Sequence, residues 1–144
     1  MTEFKYLGYI LSAKMQDDCD ITHEVRNMYA PTNMLVQRFR KCTLNVKLAI
    51  FKASYFMCFY GISLWWNFNI STMFKFKYCQ NECVKRFFGY KKYASATAVF
   101  MELKLPTANT VLHNHRSLFK ACWKNHSNSI VSVIRDVYRP TSLS

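Results

Sequence analysis

Ile21, Val25, Met28, Leu35, Val36 and Phe39 fall on one narrow face at 100° per residue, which predicts an amphipathic helix over 21–41. Asp20 is its expected N-cap, and Glu24 in the first turn suits the positive end of the helix dipole. Pro31 is discordant: inside a helix it costs about 3 kcal/mol, so a bend or break is expected near Ala30. Ahead of this helix, Phe4 to Leu11 reads as one β-strand, followed by a polar, acidic loop from Ser12 to Asp20.

A second helix is expected from Asn45 to about Trp66, amphipathic at its start and apolar almost all round from Ala53 onward. That apolar run is short of the roughly 20 residues a membrane span needs. Extending it back to Leu48 crosses Lys52, which is costly at mid-membrane. It therefore reads as a central, buried bundle helix, with a membrane helix near 48–66 as the alternative.

Ser71 is the expected N-cap of a third helix that reaches Phe88 and stops at Gly89. Its inner face is Met73, Phe76, Cys79, Cys83, Val84 and Phe87, with Lys75, Tyr78, Glu82, Lys85 and Arg86 on the other side. Ser95 should cap a short helix, Ala96 to Leu103, ended by Pro106. Thr107 should cap a fourth long helix with Val111, Leu112, His115, Leu118, Phe119 and Cys122 inward. Ile130, Ile134, Val137 and Tyr138 predict a last short helix, and 141–144 should fray. The fold class is thus mostly α, a helical bundle preceded by one N-terminal strand. A lone strand cannot satisfy its own backbone groups, so its partner is expected upstream of Met1, in a larger protein.

Composition supports a packed domain: 51% of the 144 residues are hydrophobic and 17% aromatic, which argues against disorder. Three glycines and three prolines are few for an all-β chain. Charge adds more. Residues 1–24 carry five acids and two lysines, whereas the remainder carries 18 bases against three acids, a local net of +15. A field of that sign favours nucleic acid or an anionic membrane as partner. The six cysteines are scattered over mostly apolar helical positions and the N-terminus has no signal-type run, so reduced thiols and an intracellular site, nucleus or cytoplasm, are expected.

Candidate chemistry is sparse. The glycines are too far apart for a phosphate loop, and no nucleophile context stands out. Cys79 and Cys83 with His113 and His115 offer two thiolates and two imidazoles, but the hairpin knuckle of a zinc site is missing, and buried free thiols are the preferred reading. No catalytic residue and no metal ligand is assigned. Basic faces are the stronger signal. Arg26, Asn33, Gln37, Arg40 and Lys41 lie within about 100° of one another on the first helix, away from its apolar face. Arg116, Lys120 and Lys124 are spaced i, i+4, i+8 on the fourth long helix, with His113 beside them. Such rows neutralise successive phosphates with little regard to sequence.

Phe4-Lys5-Tyr6-Leu7-Gly8, followed by the acidic loop and the long basic helix, resembles the end of the palm and the thumb of a reverse transcriptase of the jockey-like, non-long-terminal-repeat retrotransposon kind. Further landmarks are Asp20-Ile21, Asn33-Met34-Leu35 with Arg38-Phe39, Val46-Lys47-Leu48 leading to Phe51, Tyr55 and Tyr60, Lys85-Arg86 before Gly89, Ser95-Ala96 and Pro106-Thr107. The resemblance implies a primer-grip strand and loop at 1–18, a thumb-like bundle at 19–92, and a helical connection and tail at 93–144. It implies that Phe4, Lys5, Tyr6, Leu7 and Gly8 form the grip. By the same carry-over, Arg26, Arg38, Arg40, Lys41, Lys85, Arg86, Arg116, Lys120 and Lys124 face the backbone of an RNA or RNA–DNA duplex, held by shape and phosphates.

Pro31 departs from the straight helix of the family, and the family's catalytic aspartates do not occur in this chain. Asp17-Asp18 lies downstream of the grip in a polar loop, where two-metal chemistry has no third carboxylate to use, and reads as a helix-entry signal. The implied molecule is a reverse-transcriptase fragment without enzyme activity, cofactor or small-molecule substrate of its own, although the intact polymerase would use Mg2+. A non-functional relic of a retroelement is the remaining alternative.

Overall fold

The computed structural model describes residues 3–55, 59 and 61–137. The chain is mostly helical, as the periodicity predicts, and carries a small sheet at its N-terminus. Two antiparallel strands, β1 (Glu3–Tyr6) and β2 (Tyr9–Ser12), precede α1 (Asp18–Phe39), α2 (Leu44–Tyr55), a 3₁₀ turn (Ile62–Leu64), α3 (Ile70–Phe88), α4 (Ala96–Glu102), α5 (Ala108–Asn125) and α6 (Ser129–Val137).

The expected single strand is a hairpin. Phe4 faces Leu11 and Tyr6 faces Tyr9, and the chain reverses at Leu7-Gly8, where both residues have positive φ (46° and 90°). That is the geometry of a type I′ turn, whose twist matches that of the flanking strands. β1 therefore finds its partner in β2, and no upstream strand is needed to pair it. In such a hairpin the pair next to the closing one points its amides outward, and the outward Ile10 N–H donates to Asp20 Oδ1 at 3.0 Å. The hairpin is also fastened through Cys19 Sγ, which donates to Glu3 Oε1 at 2.9 Å. This hydrogen bond and the Glu3 and Asp18 charges, with some burial, push the Cys19 thiol pKa up.

α1 begins three residues earlier than expected, with Asp17 at the N-cap, and ends at Phe39, so Lys41 lies beyond it. Of the bend or break expected near Ala30, a break does not occur: α1 runs as one helix through Pro31. Packing along α3 holds it: Ile21 and Met28 are buried, and Val25, Leu35 and Val36 pack against the same core. Summed burial of this kind exceeds the cost of about 3 kcal/mol for the missing N–H.

The described part of the second helix ends at Tyr55, and residues 61–66 are not α-helical, so it does not run on to Trp66. Its expected course over 56–58 and 60, including the landmark Tyr60, lies outside the described residues. Beyond it, Gly61 presses against the Tyr9 ring so closely that a Cβ would fall on it, and Trp65 is extended. Apolarity in this stretch serves a turn that buries Phe59, Ile62 and Trp65 instead of a continuous helix. Among the described residues no helix is long and apolar enough to cross a membrane.

α3 is the central element, and its predicted inner face is buried throughout. Its N-cap is Asn69, two residues before Ser71, and Gly89 ends it in the left-handed conformation. Phe76 meets Phe59 and Trp65 edge-on, at 5.6 and 5.1 Å between centroids, while Phe87 stacks on Phe51 at 5.5 Å. One apolar cluster takes residues from Ile21 to Leu112. Within it Gln80 is fully buried, and neither its amide nitrogen nor its oxygen has a hydrogen-bond partner among the described residues. Gln80→Met should therefore raise the unfolding free energy by about 1–2 kcal/mol in a urea titration, since it removes two unsatisfied polar atoms at similar length.

Ser95 and Thr107 cap α4 and α5 as expected, accepting from Ala98 N and Thr110 N. The inward face of α5 is real for Val111 and Leu112 only. Leu118 and Cys122 are exposed, and His115 and Phe119 are half-buried. Periodicity fixes the direction of an apolar face but not the length over which neighbours cover it. α6 forms where predicted, with Ile130, Val133 and Val137 exposed. Tyr138 and the fraying expected at 141–144 lie outside the described residues.

Candidate nucleic-acid interface

The grip-like residues occupy the outer hairpin. Phe4, Lys5 and Tyr6 lie on β1, exposed, and Leu7-Gly8 is the turn itself, not part of a strand.

Arg26, Arg38, Arg40 and Lys41 are exposed along α1 and just past its end, and none forms an ion pair among the described residues, where the only one within 4.0 Å is His23–Glu24. The acids at the N-terminal end of α1 are engaged in other contacts. Asp17 Oδ2 accepts from the Trp66 and Asn67 amides, both at 2.8 Å. Asp18 takes the Asn69 amide and side chain at 3.0 and 3.1 Å. Asp20, the expected N-cap, is instead buried inside the first turn, where Oδ2 accepts from Trp65 Nε1 at 2.8 Å. Together the three carboxylates fasten the hairpin and the 65–69 segment to the N-terminal end of α1. Those long-range amide partners left no local sequence signal.

α3 adds one cation to the α1 face. Arg86 Nη1 donates to Asn33 Oδ1 at 3.0 Å, which places it beside the polar row of α1. Lys85 is turned away, with Nζ donating to Lys92 O at 3.1 Å. On α5, Lys120 and Lys124 are exposed, but Arg116 is half-buried and donates to Trp65 O at 3.2 Å. The i, i+4, i+8 row therefore splits, with its first member serving the fold.

The two buried thiols face α1. Cys79 Sγ lies 3.9 Å from Cys83 Sγ, and they donate to Val25 O and Met28 O respectively. The Cys79 thiol, the Thr32 hydroxyl and the nearby Arg86 charge hold the Cys83 pKa down against burial, whereas burial and Cys79 push the Tyr29 phenol up. His113 lines a cleft with Lys77 and Arg116, away from any described arrangement of three His, Cys, Asp or Glu side chains suited to a metal. Lys77 escaped sequence reasoning because it sits at the edge of the apolar face of α3.

Comparison with protein-family models, curated proteins and solved structures returned no match.

Proposed function

We propose that this chain is a nucleic-acid-holding module, equivalent to the primer grip and thumb of a reverse transcriptase, that binds the backbone of RNA or RNA–DNA duplex without sequence preference and has no polymerase activity alone. The observation that carries the reading is the exposed face of Arg26, Arg40 and Lys41 along and just past α1, with Arg86 beside it and Arg38 exposed to one side, where no described carboxylate forms an ion pair with any of them. Uncompensated guanidinium and ammonium groups at helical spacing suit successive phosphates, and a phosphate-led interface is indifferent to base identity. Order along the chain adds support, because the exposed hairpin precedes the basic helix as a grip precedes a thumb. Charge reversal at Arg40 and Lys41 tests it: affinity for every duplex sequence should fall together, and unchanged affinity removes α1 from the interface.

A further inference from the structure

A second cationic feature lies apart from the α1 face. The first turns of α3 and of α5 enclose an open cleft of about 350 Å³, at the small end of ligand-binding pockets. Its apolar lining includes Phe68, Met73, Phe74 and Leu112, and its polar lining includes Lys77, His113 and Arg116, with no carboxylate. Two permanent cations and an imidazole around one cavity constitute an anion site by composition.

Arg116 makes the case stronger. Its guanidinium lies 5.8 Å from the ring centroids of both Trp66 and Phe68, and its Nη2 is held by Trp65 O. These contacts fix the fork in place, yet Nε is buried with no hydrogen-bond partner among the described residues. Arg116 nonetheless lines the cleft, and a guanidinium held in place offers a phosphate there a fixed cation whose fork favours bidentate acceptance. Lys77 sits 5.8 Å from the Phe74 ring centroid, so the second cation also stands beside an aromatic wall.

We propose that this cleft binds one phosphorylated planar aromatic unit, a mononucleotide. The phosphate is taken by Arg116, Lys77 and His113, and the base lies against Phe74, Phe68 and Met73. A doubly charged phosphate matches two fixed cations better than a single carboxylate does. Aromatic side chains and a thioether give a base the flat, polarisable surface on which stacking is sequence-tolerant. The unit comes either from a free nucleotide or from the phosphorylated end of a single strand. The proposal is independent of duplex binding by α1, because none of the cleft residues lies on that helix.

Calorimetric titration of the full chain with AMP, adenosine, inorganic phosphate, dodecanoate and a 5′-phosphorylated single-stranded tetranucleotide tests this. AMP should bind, with adenosine and phosphate each weaker by about tenfold or more, because each lacks one half of the recognition. The double substitution Phe74→Ala with Lys77→Ala should weaken AMP by about tenfold or more at an unchanged melting temperature, since Phe74 is largely exposed. Arg116→Lys, which keeps the charge but loses the fork, should weaken it as well. A tetranucleotide that binds at least as tightly as AMP identifies a strand end as the source, and preference for AMP identifies a free nucleotide. The proposal is overturned if AMP does not bind at millimolar concentration, if phosphate or dodecanoate binds as well as AMP, or if the double substitution leaves AMP affinity unchanged.

Discussion

Asp20→Ala should lower the unfolding free energy by about 3–5 kcal/mol, a large part of what a domain of this size has to lose. The Asp20 carboxylate is 4% exposed and accepts from two donors far apart in sequence, the Ile10 amide and the Trp65 indole. Trp65 is itself 1% exposed and packs edge-on against Phe76 in the centre of the core. Removing the carboxylate strands the buried Trp65 indole and the part-buried Ile10 amide, and an unsatisfied buried donor costs about 1–3 kcal/mol. The first turn of α1 also loses an acid from its positive end. Asp20→Asn should cost less but remain destabilising, because one acceptor oxygen becomes a second donor facing a donor. Trp65→Phe removes one of the two partners, so its effect should be strongly non-additive with that of Asp20→Ala. Urea unfolding followed by circular dichroism reads the wild type, the three single variants and the Asp20→Ala/Trp65→Phe double variant. A loss below about 1 kcal/mol for Asp20→Ala would show that the carboxylate does not join hairpin, helix and core.

Reversing Arg26, Arg38, Arg40 and Lys41 together to glutamate should weaken duplex binding by about two orders of magnitude or more at low salt. All four side chains are exposed and none is part of a described ion pair, so the fold should tolerate the change and the melting temperature should move little. The loss should be the same for unrelated sequences, because a phosphate contact carries no base information. Reversing Lys120 and Lys124 serves as the comparison. These exposed lysines lie on the part of α5 beyond its buried turns, and a much smaller effect there would locate the duplex on α1. Equal effects would indicate that net charge, not a particular face, governs binding.

Much of the bundle was legible because its signals are local. Gly89 as a helix stop, Ser95 and Thr107 as caps, and the apolar row from Met73 to Phe87 each depend on residues within a turn or two. The features that were missed depend on distant partners or on a residue adopting an uncommon conformation. Leu7 at positive φ gives no hint of a hairpin turn, since that geometry ordinarily calls for Asn, Asp or Gly. Asp17, Asp18 and Asp20 have the composition of a helix entry, but their acceptors are spent on amides and an indole some 50 residues away, or on the hairpin. The apolar run before Trp65 has helical composition, and only the Tyr9 ring against Gly61 shows why the chain must turn there. The basic row on α1 could be read from spacing; that no described acid pairs with it could not, because that depends on how the other elements pack around the helix.

The most direct test of backbone holding is the salt dependence of hybrid-duplex affinity, followed by fluorescence anisotropy with two duplexes of unrelated sequence. The proposal assigns phosphate contact to five exposed cations, Arg26, Arg38, Arg40, Lys41 and Arg86. The logarithm of the association constant should fall against the logarithm of salt concentration with a slope of about −3 to −5, identical for both sequences. A slope near zero, or a slope and affinity that change with sequence, would contradict the account.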